Sequence, residues 1–114
     1  ATQLLKLDLP LLIERQILYW FEPASHREQF SAEHLPIYVW ETQDGTQFYG
    51  FPADGQSTDG QSTGVKVAFF RSGQNEKSCT PTTIDRTVHE SEVETMRRYL
   101  QQYVPALNGH LVDA

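Results

Sequence analysis

The alternation of apolar and polar positions is clearest in Val65-Lys66-Val67-Ala68-Phe69-Phe70. A period of two puts Val65, Val67 and Phe69 on one face of a strand and Lys66, Ala68 and Phe70 on the other. Ile13 to Phe21 (IERQILYWF) is rich in β-branched and aromatic residues and predicts another strand, with Arg15, Ile17, Tyr19 and Phe21 on one face and Glu14, Gln16, Leu18 and Trp20 on the other. Bulky residues on both faces predict a central place in a sheet. Leu35 to Glu41 and Gln47 to Phe51 predict a hairpin joined through the Asp44-Gly45 pair. Leu4 to Leu12, interrupted by Pro10, reads as an incoming loop or short edge segment. The connections at 24–33, 53–63 and 72–86 are polar; the first has room for one helical turn, and the second repeats the unit DGQST and is a flexible loop by composition.

Towards the C-terminus the period lengthens. Val93, Met96, Leu100, Tyr103 and Val104 recur at helical spacing, with Glu94, Arg97, Arg98 and Gln101 largely outward, which predicts one amphipathic helix. Ser91-Glu92-Val93-Glu94 fits a capping box, so the helix is expected to start with Ser91 as its cap. Pro105 and Asn108-Gly109 end it, and His110 to Ala114 begins a further strand. Strands followed by a helix laid on one face predict an α+β domain with a mostly antiparallel (mixed) sheet.

At 114 residues the chain has room for one compact domain, so residues 1–114 are expected to form a single unit. It begins Ala1-Thr2 and runs straight into an apolar segment, from which the expectation is a piece of something longer. The formal net charge of −6 and the scattered basic residues argue against a nucleic-acid partner. No apolar run reaches the length of a bilayer span and no signal-peptide pattern opens the chain, so no membrane partner and a cytoplasmic location are expected. The single cysteine, Cys79, excludes an internal disulfide.

Chemistry is sparse when the residues are taken alone. His26, His34, His89 and His110 lie in different segments, without the spacing that puts metal ligands on one face. Cys79 and His89 sit in polar connections with no oxyanion-hole motif nearby. There is no GxGxxG and no P-loop. Lys66 remains: a cation in mid-strand beside an aromatic residue is either an exposed lysine that discourages edge pairing or one that faces an anion.

The order IERQILYWFEP, FYGFP, GVKVAFF and then YLQQYVPALNG resembles the FAD-dependent amine oxidases of the monomeric sarcosine oxidase and N-methyltryptophan oxidase type, over about Leu4 to Val112. The match is to the second half of their substrate domain, with a longer loop at 53–63. The resemblance implies a flavoprotein built from a Rossmann-type FAD domain, absent here, and a substrate domain carrying this segment. It implies FAD as cofactor of the parent protein, a small amine or N-methyl amino acid as substrate and dioxygen as electron acceptor. It also implies that Lys66 lies over the flavin and assists the reaction of the reduced cofactor with dioxygen. Tyr49 matches a tyrosine lining the substrate cavity.

Phe70 departs from the pattern, standing where sarcosine oxidases carry a histidine; it neither titrates nor donates a hydrogen bond, which points to a bulkier or more apolar amine. The family attaches flavin to a cysteine in a Cys-x-Tyr-Thr context, and Cys79 in SCTPTTIDR does not match it. Arg15 reads as a strand arginine paired with a neighbouring acid. Without its FAD domain the segment is expected to be inactive and to self-associate through apolar surface. The alternative is a non-catalytic α+β binding module whose exposed aromatics Tyr19, Trp20, Tyr38 and Trp40 contact a protein or ligand and whose Lys66 lies on a solvated face.

Overall fold

The computed structural model describes residues 13–53, 64–71 and 79–114. The Leu4–Leu12 segment, the DGQST repeats and residues 72–78 lie outside the described residues. Among the described residues five strands form one antiparallel sheet: β1 (Leu18–Phe21), β2 (Tyr38–Glu41), β3 (Gln47–Gly50), β4 (Val65–Arg71) and β5 (Leu111–Asp113). Their order is β2-β3-β4-β1-β5, so β4 is the middle strand. Helix α1 spans Glu90–Tyr103, and single 3-10 turns occur at Arg27–Phe30 and Pro105–Leu107. The architecture is the α+β class that the pattern of strands followed by a helix predicts.

The hairpin of β2 and β3 turns where Asp44-Gly45 predicts, with Gly45 at a φ of 80°, in the left-handed region open to glycine. The Asp44 carboxylate accepts from the Thr42 hydroxyl and, at 3.0 Å, from the Thr46 amide, which closes the turn with local donors. Its other oxygen accepts from the Tyr99 hydroxyl of α1 at 3.0 Å, so the same side chain ties the hairpin to the helix.

One face of the sheet makes the core. Tyr19, Phe21, Phe48, Val65, Val67 and Phe69 are buried there with Met96, Leu100 and Leu107 from the C-terminal part of the chain. Tyr99 meets Phe69 edge-on at 5.3 Å between centroids and Phe48 at 6.3 Å, so aromatic rings fill most of the helix–sheet contact on the β3 side. Each of these large apolar side chains contributes about 1.5–3 kcal/mol through burial.

Three expectations are corrected. The strand foreseen over Ile13 to Phe21 forms only from Leu18, because Arg15 leaves the ladder to bind the start of α1. The helix is capped by His89, not Ser91: the carboxylate reaching back to the cap amide belongs to Glu92, 2.9 Å from the His89 nitrogen, and this places Ser91 inside the first turn. Tyr19 is not an exposed aromatic; it is 2% exposed in the core and its hydroxyl donates to the Glu92 carbonyl.

Arg15 and Glu92 join the sheet to the helix by a 2.5 Å ion pair, and Arg15 also donates to the carbonyls of Asp85 and Thr87. The guanidinium thus satisfies the approach to α1 as well as its first turn. Desolvation by itself would push the Glu92 carboxyl up, but the hydrogen bonds from Arg15 and the His89 amide, with the charge of Arg15, outweigh it and hold the group below the usual carboxylate range. The Asp44 carboxyl is lowered to about 2, chiefly by its hydrogen bonds from Thr42 and the Thr46 amide.

A carboxyl depressed in the folded state adds stability above its unfolded pKa, and that stability is lost as pH falls through the folded value. The melting temperature should therefore fall from about pH 5 downward, and Glu92→Gln should flatten that part of the profile; a parallel profile for the variant would remove Glu92 from the account. The Tyr38 hydroxyl is buried without a hydrogen-bond partner among the described residues. Tyr38→Phe should accordingly raise stability to urea by about 1 kcal/mol, whereas Leu100→Ala should cost about 2–5 kcal/mol.

Candidate functional site

The face of the sheet away from α1 carries the other half of the alternation. Across it the register aligns Val39, Tyr49, Ala68 and Leu18 in one row, and the next row pairs Lys66 of β4 with Trp20 of β1. Lys66, Tyr49 and Phe70, the three residues singled out in the sequence, therefore share one face. Phe70 is 61% exposed, Val39 and Ile37 are each 64% exposed, and Tyr49 and Lys66 are half-buried. A largely apolar sheet face that carries Lys66 is an unusual surface for water to cover.

The aromatic rings on this face touch in series. Phe70 meets Tyr49 at 6.4 Å between centroids and Tyr49 meets Phe51 at 5.9 Å, both edge to face. The Lys66 ammonium lies 5.0 Å from the Phe51 centroid and 5.8 Å from that of Trp20. Among the described residues the two ion pairs are Arg15 with Glu92 and Asp85 with His89, so no carboxylate of the described residues pairs with Lys66. Beside the ammonium is a cleft of about 430 Å3 whose walls include Trp20, Ile37, Phe51 and Pro52. Such a site suits a planar, mostly apolar ligand that carries or develops negative charge near Nζ.

Phe51 was not singled out in the sequence, and Trp20 was named only as an exposed aromatic of the binding-module alternative, not as a neighbour of Lys66. Phe51 follows Tyr49 at strand spacing, which was a usable signal, but Trp20 meets Lys66 only through the pairing of β1 with β4, strands far apart in the chain. Arg15 is held in an ion pair with Glu92, the pairing with an acid that the sequence suggested.

The remaining candidates are scattered. Among the described residues no group of three or more His, Cys, Asp or Glu side chains could hold a metal ion, and no helix is long and apolar enough to cross a membrane. His89 pairs with Asp85 at 2.8 Å on an exposed edge near the helix start, and His34 bonds to Ser31. Cys79 is a free, half-buried thiol.

Over its whole length the chain is 48% identical to the monomeric sarcosine oxidase of Streptomyces avermitilis, and it spans 28% of that protein's length. No protein-family model matches the chain. The resemblance carried by the four motifs is thus borne out across the full sequence.

Proposed function

We propose that this chain, residues 1–114, is part of the substrate domain of a flavin-dependent amine oxidase of the sarcosine oxidase type, and that its open sheet face borders the flavin and the substrate. The observation that supports this most is Lys66, an ammonium on an aromatic face with no ion-pair partner among the described residues, in a chain 48% identical to a sarcosine oxidase. The whole protein would oxidise a secondary or primary amine, or an N-methyl amino acid, to an imine with production of hydrogen peroxide. FAD when bound supplies the acceptor for the hydride equivalent of the C–H bond next to nitrogen and, once reduced, the electron donor to dioxygen.

The residues present fit such a group: aromatic side walls suit a flat ring system, and Lys66 is placed against two neutral rings with no ion pair to an acid of the described residues. Lys66 holds a fixed positive charge that lowers the energy of negative charge developing on dioxygen. Tyr49 and Phe70 form an apolar wall on the substrate side. Phe70 cannot bond to a substrate carboxylate, so the wall favours an amine with a sizeable apolar substituent. The sequence has no glycine-rich fingerprint for a dinucleotide, so residues 1–114 alone should neither hold FAD tightly nor turn over an amine.

In the full-length protein Lys66→Met should slow reoxidation of the reduced enzyme by dioxygen roughly 10²-fold while leaving reduction by the amine little changed, as stopped-flow absorbance would resolve. Equal reoxidation rates before and after would sink the role given to Lys66. Phe70→His should raise kcat/KM for sarcosine relative to an amine with a larger apolar substituent, and no change in that ratio would remove Phe70 from the determinants of specificity.

A further inference from the structure

We propose that Trp20 and Phe51 are positioning residues for Lys66, their rings holding its ammonium at the open face without neutralising it. This rests on the function proposed for Lys66. A lysine stem has four rotatable carbons and a strongly hydrated head, so an unpaired ammonium tends to swing into water. A carboxylate neighbour would fix it, but would also cancel the field that a developing anion needs. Two aromatic faces attract the cation through their quadrupoles and carry no net charge, so they fix its place and leave its field intact.

The backbone holds both rings to Lys66. Trp20 is its direct partner in the β1–β4 ladder. The Phe51 amide donates to the Lys66 carbonyl at 3.0 Å, so Phe51 is tied to the lysine's own peptide. Behind Phe51, Tyr49 braces its ring edge-on. Next to Trp20, the chain enters β4 through Gly64 at a φ of 75°, where an added Cβ would come within 3.1 Å of the Trp20 Cβ. Glycine at this point permits both the turn into β4 and the present seat of the indole.

The test uses the full-length protein labelled with 13C at lysine Cε, the Lys66 signal being identified by its loss in Lys66→Arg. Ring currents should place the Lys66 ε-proton signal upfield of its position in the Trp20→Leu and Phe51→Leu variants, and Trp20→Phe should keep most of that displacement. In stopped flow each leucine variant should slow reoxidation by dioxygen by roughly 3- to 30-fold, the rate equivalent of a cation–π contact, with reduction by the amine unchanged and with recovery in Trp20→Phe. A Lys66 signal that neither leucine substitution moves, or wild-type reoxidation in both variants, would overturn the proposal while leaving the role of Lys66 standing. Wild-type reoxidation in Lys66→Met, with the signal still displaced by Trp20→Leu, would instead overturn the function given to Lys66 and the positioning role with it. Should Trp20→Leu fail to fold, Phe51→Leu makes the same comparison, since Phe51 lies outside the buried core cluster.

Discussion

β4 has hydrogen-bonded neighbours on both sides, β3 and β1, so its side chains have only the two sheet faces to occupy. Its side chains alternate between those faces. Val65, Val67 and Phe69 go under α1, and Lys66 and Phe70 must go to the opposite face. A slip of one residue in either ladder would drive the lysine into the core and lift three large apolar side chains out of it. The energetic demand of the covered face therefore sets the position of the lysine on the open one.

The helix enforces that register from behind. Met96 and Leu100 complete the core, Tyr99 reaches Asp44 at the hairpin turn, and Arg15 clamps the sheet's N-terminal approach to Glu92. These contacts lie on the covered side or at its ends. The open face is therefore free to hold an assembly of rings and a cation that contributes little to the core. Stability and the proposed chemistry occupy opposite sides of the same strands, which explains why a half-buried ammonium with no acid partner among the described residues is tolerated there.

The alternation in β4, the hairpin at Asp44-Gly45 and the amphipathic stripe of α1 were legible because each depends on neighbours close in sequence. The start of α1 was misread because two overlapping serine, histidine and glutamate patterns compete for the cap, and the winner is decided by Arg15, some seventy residues away in the chain. The same limit hid the start of β1: the segment from Ile13 has strand composition, but its arginine is more stable on the helix start than in a ladder. For the site, parity alone groups Lys66 with Phe70, and resemblance adds Tyr49. Trp20 was out of reach because its partnership with Lys66 depends on which strands are adjacent, and local pattern does not encode that order.

The central claim is that this sheet face belongs to a flavoprotein oxidase. The most direct measurement is the visible absorbance spectrum of the purified full-length protein. The account predicts the paired near-ultraviolet and blue bands of an oxidised flavin, bleached by a substrate amine without air and restored on admitting oxygen. A correctly folded full-length protein with no visible absorbance would contradict it and would leave the aromatic face and Lys66 as a surface for some other ligand.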